Sequence, residues 1–391
     1  MLQLTEHTRS KPVYLTASQQ RKLKLWFRAD FQPADETGRV YVIPGSRVGG
    51  ATIDGLKVSV APKIPLHRLL TLISETADPY RWLVVDAATT SRQDVDDALA
   101  SLFVRSCHRT FERGIYRSYR RERQQSDFVR GKLLLGQTIR QFTPVPVTVE
   151  TDVFDDDTPE NQVLAAALQH VRRTPSLSTR TRQEAHHVYR NVRHVKPLRD
   201  PLTTAQNIIW TRHNQWYQQA VSLAALLLSF GRVHHDLGHD SIPGFVINMP
   251  HVIEQWVRVT LRTAWGLTQH EMPDNWRNTL WLDRGRLVEL QPDLAVRRLG
   301  SWSFVGDVKY KVLPTTTTNN SSANRNDVYQ MLAYLTATEL TNGVLIYAGV
   351  EANDEVISVG SSGQKIHIIS LDLSADDARS VLIEKVASRP G

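Results

Sequence analysis

The chain has 391 residues, 41% hydrophobic and 22% charged, with a formal charge of +7 and a pI near 9.5. This is the length of two or three ordinary domains and the composition of a water-soluble globular protein. No run of about eighteen apolar residues exists, which excludes a membrane-spanning helix, and the single cysteine, Cys107, excludes an internal disulfide and a cysteine-based zinc site. The N-terminus carries no basic-then-apolar signal, so the cytoplasm is the expected compartment. The basic excess is local: between Arg105 and Arg140, ten Lys/Arg stand against three Asp/Glu, and the rest of the chain is close to neutral. That distribution leans towards a polyanionic partner.

Residues 1–100 read as mostly strand and turn. A strand over 39–43 ends at Pro44-Gly45, and Gly49-Gly50 and Asp54-Gly55 mark hairpins ahead of a strand over 56–60. Ala61-Pro-Lys-Ile-Pro65 breaks that strand, and a helix begins at Leu66. This segment is expected to be a β-rich scaffold or partner-docking domain. Residues 101–240 form a basic, mainly helical middle region. A helix over 84–119 would place Arg105, Arg109, Arg113 and Arg117 on one face, either as a solvated stripe or in contact with phosphates or an acidic surface. A strand over 148–154 leads into Asp155-Asp-Asp-Thr-Pro-Glu-Asn161, where Asp157 or Thr158 caps a helix with Pro159 at its first position. The three aspartates fit a helix dipole better than a metal. A second helix spans 204–230. His234-His-Asp-Leu-Gly-His-Asp240 has metal-ligand residue types, but Gly231, Gly238 and Pro243 frame it as an exposed loop.

Residues 241–391 carry the chemistry. The expected order is a helix over 252–265, three strands over 278–282, 287–296 and 303–312, a polar loop over 314–326, a helix over 327–340 closed by Asn342-Gly343, and a strand over 344–347. Asp293 directly follows Pro292. Asp307 and Lys309, one residue apart on a strand, share a face, leaving Val308, with Val305 nearby, to pack on the other. Burying such a pair costs several kcal/mol unless a counter-charge or metal meets it. Gln330 and Tyr334, four apart, share one face of the following helix, although Gln330 also stands three after Asp327 and could complete a capping box. Pro273-Asp274 repeats the Pro-Asp pair, but in a polar loop.

Pro292-Asp293, Asp307-Val308-Lys309 and the Gln330-x-x-x-Tyr334 pair resemble the PD-(D/E)xK nuclease superfamily, in its RecB-like branch. The resemblance implies an α+β chain whose C-terminal domain has a restriction-endonuclease-like αβββαβ core. It also implies a Mg²⁺-dependent endodeoxyribonuclease, with Mn²⁺ as a substitute ion. Asp293, Asp307 and the Val308 carbonyl would be metal ligands, Glu254 a further acid, Lys309 the residue that orients the attacking hydroxide, and Gln330 and Tyr334 supports of the site. Lys311 would reach phosphate. Three further blocks widen the likeness: Val58-Ser-Val-Ala-Pro-Lys-Ile-Pro65, Phe128-Val-Arg-Gly-Lys-Leu133 and Asp327-Val-Tyr-Gln-Met-Leu-Ala-Tyr334. With Asp157-Thr-Pro-Glu-Asn161 they resemble the McrC family, the nuclease subunit of McrBC 5-methylcytosine-specific restriction systems. That family implies double-stranded DNA as substrate, its methylation read by the partner, and docking through the N-terminal region on a hexameric AAA+ GTPase of McrB type. The chain has no Gly-x4-Gly-Lys-Ser/Thr phosphate loop of its own. A stand-alone PD-(D/E)xK repair nuclease and a non-catalytic adaptor of the motor are the competing readings.

Overall fold

A computed structural model of the chain describes residues 1–34, 38–77, 95–129, 131–134, 146–232, 244–310, 324–349, 354–360 and 362–387. They divide into one unit made of Met1–Ala98 with Phe245–Gly391 and another made of Leu99–Gly244. The first and last of the three expected segments therefore lie in a single unit.

The N-terminal part of the first unit contains β1 (Leu2–Thr5), α1 (Ala17–Phe27), β2 (Asp30–Pro33), β3 (Val40–Ile43), β4 (Arg47–Ile53), β5 (Leu56–Ala61) and α2 (Leu66–Ala77). Asp54 and Gly55 both take positive φ, 46° and 79°, as the tight β4–β5 hairpin demands. Helix α1 is absent from the strand-rich expectation. Its signal is a capping box, in which the Thr16 hydroxyl accepts from Gln19 N–H and the Gln19 side chain accepts from Thr16 N–H.

Helix α3 (Val95–Glu112) crosses the division between the units. In the second unit follow β6 (Ser118–Ser126), β7 (Lys132–Leu133), β8 (Val147–Asp155), α4 (Pro159–Arg173), α5 (Thr179–Tyr189), α6 (Pro201–Gln206) and α7 (Gln218–Arg232). The four-arginine helical stripe does not form. Gly114, at φ 104°, ends the turn after α3, so Arg113 and Arg117 lie beyond the helix. Strand β6 instead pairs antiparallel with β8, and opposite charges meet across it: Arg120 with Asp155, Arg121 with Asp152 and Arg123 with Glu150. Most of the hairpin's positive charge is neutralised locally. The helix expected over 204–230 is broken into α6, a 3-10 turn at Gln215–Tyr217 and α7. Thr158 caps α4 ahead of Pro159. Each neighbouring aspartate has its own partner: Asp155 binds Arg120, Asp156 binds His194, and Asp157 accepts from Lys196 N–H. The His234–Asp240 motif lies outside the described residues.

The first unit resumes with β9 (Gly244–Asn248), which completes the sheet β1-β5-β4-β9, and α8 (Met249–Ala264). A two-stranded ribbon, β10 (Leu280–Trp281) with β11 (Glu289–Leu290), precedes β12 (Leu294–Arg298), β13 (Ser301–Lys309), α9 (Arg325–Thr338), β14 (Asn342–Ala348), β15 (Glu355–Ser358), β16 (Lys365–Leu371) and α10 (Ala378–Ala387). The main sheet runs β12-β13-β14-β16-β15, with β13, β14 and β16 parallel. Of the three expected strands, the first is confined to the ribbon, and the second splits at Gln291-Pro292-Asp293. Proline has no N–H to donate to a ladder. Glu339, left-handed at φ 59°, ends α9, and Asn342-Gly343 opens β14 rather than closing the helix. A Cβ on Gly343 would stand 2.6 Å from the Met331 sulfur, so glycine lets α9 approach the sheet.

Buried and half-buried polar bonds join the two sequence segments of this unit. Trp256 Nε1 donates to Glu75 Oε2 at 2.7 Å, Arg68 Nε donates to the Leu373 carbonyl at 3.3 Å, and the Tyr310 hydroxyl donates to Glu6. No described helix is long and apolar enough to cross a membrane.

Candidate active site

The antiparallel register of β12 and β13 sets Leu294 opposite Gly306. Asp293, one residue before β12, is thereby brought alongside Asp307, one residue after Gly306. The Asp293 carboxylate accepts the Val308 N–H at 3.0 Å, which fixes it against β13. Its backbone carbonyl is clamped from the other side by Arg258 of α8, through Nε at 3.0 Å and Nη2 at 2.6 Å. A Pro-Asp corner that the ladder cannot hold is thus secured by one side-chain bond and one guanidinium.

Asp307 and Lys309 do share a face, and they form an ion pair with Asp307 only 1% exposed. Val305 lies on that face too, packed with Met331, Tyr334 and Leu345, and does not turn away with Val308. The reason is parity: 305, 307 and 309 alternate with 304, 306 and 308. Parallel pairing of β13 with β14 sets Asp307 beside Leu345 and Lys309 beside Tyr347 in the middle of the sheet.

Helix α9 closes the site with a chain of hydrogen bonds. Lys309 Nζ donates to Gln330 Oε1 at 3.0 Å, and Gln330 Nε2 donates to the Tyr334 hydroxyl at 2.7 Å. That hydroxyl donates to the Gln291 carbonyl at 3.1 Å, immediately before Pro292. Gln330 completes no capping box, because Asn324 is the N-cap and its side chain accepts from Asn326 N–H. Asp327 is instead buried against the Tyr347 hydroxyl at 2.7 Å. The helix therefore connects the lysine to the Pro-Asp corner through two side chains one turn apart.

Charge is concentrated here. Burial, then the charge of Asp293, pushes the Asp307 carboxyl up to about 7 against the pull of Lys309. Burial and Asp293 likewise push Glu254 up to about 7, opposed by Arg258 and Lys309. Burial alone would lower the Lys309 ammonium, but Asp307, Asp293 and Asp327 outweigh it and hold it above its ordinary value. Burial, with Asp307 nearby, raises the Tyr334 phenol, which stays protonated as a donor. This is the signature of a site short of positive charge.

The donor set suits a small hard cation. Mg²⁺ takes one or two carboxylates and keeps several waters, and Asp293 with Asp307 supplies two carboxylates that repel each other without it. Among the described residues no group of three or more His, Cys, Asp or Glu is drawn into a ready-made metal cage. Glu254 thus feels Asp293 electrostatically without completing a compact ligand trio. Asp274 of the other Pro-Asp pair is engaged with Arg262 at 3.2 Å. Lys311 lies outside the described residues. Arg258, four residues after Glu254 on α8, is the site residue that the sequence reading missed. Its signal is an arginine one turn after Glu254, on the helix face that also carries His251 and Arg262.

Fold and site together define an α+β protein with paired carboxylates and a lysine at the edge of a parallel crossover. The chain belongs to the family of McrBC 5-methylcytosine restriction system components, which it matches over residues 44–348. The resemblance to McrC proteins pointed to the same family. Among solved structures, a chain of the half-complex of Thermococcus gammatolerans McrB AAA+ hexamers with bound McrC has 16% identity and a TM-score of 0.57. The match covers 99% of both chains and establishes a common fold. A chain of the Thermococcus gammatolerans McrBC complex matches with 18% identity and a TM-score of 0.44, over 68% of this chain and 88% of that one. The comparison with curated proteins gave no match.

Proposed function

We propose that the chain is the Mg²⁺-dependent endonuclease subunit of a McrBC-type restriction system, with a PD-(D/E)xK core. The observation that carries the reading is the convergence of Asp293, Asp307 and Lys309 on one face, with Gln330 bridging Lys309 to Tyr334. Asp293 and Asp307 would hold Mg²⁺ or Mn²⁺, with the Val308 carbonyl as a further donor and Glu254 as a nearby acid that acts on Asp293 through its charge. The ion, when bound, lowers the pKa of water and neutralises charge on the phosphate.

The protein's own groups do the rest. Lys309, kept cationic by its neighbours and aimed by Gln330, stabilises negative charge growing on the scissile phosphate and orients the attacking oxygen. Tyr334 and Arg258 hold the Asp293 corner at fixed distance from Asp307, which is positioning rather than chemistry. The mutual repulsion of the carboxyls is the reason this set favours a cation over a structural ion pair. Keeping Asp307 buried beside a second acid would otherwise cost stability with no return, which speaks against a non-catalytic adaptor.

The partner would be a hexameric AAA+ GTPase of McrB type, since the half-complex that includes a chain of this fold holds McrB AAA+ hexamers with bound McrC, and the substrate would be double-stranded DNA whose methylation the partner reads. Docking is assigned to the N-terminal part of the first unit. The test is cleavage of methylated and unmethylated DNA with Mg²⁺, with and without the neighbouring-gene NTPase, by wild type and Asp307→Ala. Asp307→Ala should abolish cleavage and leave co-purification with the NTPase intact. Cleavage at the wild-type rate by the variant would overturn the site. Efficient cleavage without the NTPase would favour a stand-alone nuclease.

A further inference from the structure

The basic hairpin of the second unit leaves one part of its charge unspent. Arg120, Arg121 and Arg123 are paired with acids of β8, but Arg113 and Arg117 have no ion-pair partner among the described residues. Both line an open cavity of about 720 Å³, within the range of roughly 300–1,000 Å³ typical of small-molecule sites. Aromatic rings form its walls. Tyr119 and Phe154, directly opposed across β6 and β8, pack at 4.9 Å between ring centroids with their planes tilted by 46°, while remaining 73% and 54% exposed. Tyr116 and Trp216 meet edge to face at 5.9 Å.

Buried polar residues hold these walls in place. Asn161 Nδ2 donates to the Tyr116 carbonyl at 2.9 Å, and the Tyr116 N–H donates to the buried Tyr217 hydroxyl at 2.9 Å. Glu160 Oε1 accepts from Asn214 Nδ2 at 2.7 Å, and Asn214 Oδ1 accepts the Thr211 N–H at 2.7 Å, which fixes the turn that carries Trp216. Glu160 and Asn161 belong to the Thr158-Pro-Glu-Asn161 block, whose cap role needs only Thr158 and Pro159. The other two residues bury hydrogen-bonding groups to set the two sides of a surface cavity. Buried polar networks of this kind rigidify what they touch.

We propose that this cavity binds a nucleotide, with the base stacked on the Tyr119–Phe154 face and the phosphate held by Arg113 and Arg117. Exposed rings beside unpaired guanidinium groups are the chemistry of base stacking with backbone neutralisation. The nucleotide is either one unit of an unpaired DNA strand or a free mononucleotide.

The test is anisotropy of a fluorescein-labelled dT12 strand with the full-length protein in EDTA, where cleavage cannot occur, so failure of the nuclease reading leaves the measurement intact. Tyr119→Ala should weaken binding at least fivefold without changing its salt dependence. Arg117→Gln should weaken it and flatten the slope of log affinity against log salt by about 0.7. Arg121→Gln removes the same charge from a paired arginine and should have little effect. Competition by dTMP as well as by unlabelled strand assigns the cavity to a free nucleotide, and competition by strand alone assigns it to DNA. No binding by wild type overturns the proposal, as does a loss with Arg121→Gln equal to that with Arg117→Gln. It also fails if Tyr119→Ala and Arg117→Gln bind as wild type and impair only association with the NTPase, which would mark a protein-docking face.

Discussion

Asp307 and Glu254 are both pushed up to about 7, and the direction of that shift decides how the protein responds to pH. A carboxyl with a raised folded value adds stability below its unfolded value and loses it as pH rises through the folded one. The metal-free protein should therefore lose stability as pH climbs from about 4 to about 7. Metal binding requires the ionised forms, so cleavage should rise with pH up to about 7 and then level off. Glu254→Gln removes one of the two protons and should make the rise shallower. An unchanged pH–rate slope in that variant would remove Glu254 from the site. Gln330→Ala breaks the link from Lys309 to Tyr334 and should cost about 10–100-fold in activity, as loss of a supporting partner does. Tyr334→Phe removes the hydroxyl that accepts from Gln330 and donates to the Gln291 carbonyl, and should cost about 30-fold, the worth of two neutral hydrogen bonds at about 1 kcal/mol each. Single-turnover kinetics separate both from loss of DNA binding.

At the scale of elements, the site depends on a helix laid against a sheet. Helix α9, which reaches Lys309 through Gln330 and Gln291 through Tyr334, seats Met331 and Leu335 in the space that Gly343 leaves on β14. Gly343→Ala should lift the helix and destabilise the first unit by about 1–3 kcal/mol. Its cleavage should fall along with its melting temperature, and an unchanged melting curve would contradict the packing. Period two correctly put Asp307 with Lys309, and period 3.6 put Gln330 with Tyr334, because each pair lies within one regular element. The same reasoning failed for the arginines, since the spacing of four continued past the last turn of α3 into Gly114. It failed also for the three-strand meander, because Pro292 withdraws a donor where a strand was expected to continue.

For the whole molecule, the decisive fact is that residues 1–98 and 245–391 form one unit. A truncation that removes the first 98 residues takes away Glu6, Arg68 and Glu75, the partners of Tyr310, the Leu373 carbonyl and Trp256. It also uncovers Trp256 and the face of α8 that α2 covers, at about 1.5–3 kcal/mol for each fully buried side chain exposed. Such a truncation should therefore lose cooperative thermal unfolding and cleavage together. If the fragment melts cooperatively near the wild-type temperature, the N-terminal segment is an independent domain after all. Docking on the partner is consequently better probed by exposed point substitutions than by deletion.

The sequence by itself determined the local pairs: Asp307 with Lys309, Gln330 with Tyr334, the Thr158-Pro159 start of α4 and the Asp54-Gly55 hairpin. Each follows from a fixed backbone period or a turn's φ requirement within a few residues. Only the tertiary structure decided which distant groups meet. It set Asp293 beside Asp307 through strand register, brought Arg258 to the Asp293 carbonyl from another helix, and joined the two ends of the chain in one unit. Register and helix docking are fixed by packing summed over many residues, and no short motif records that sum.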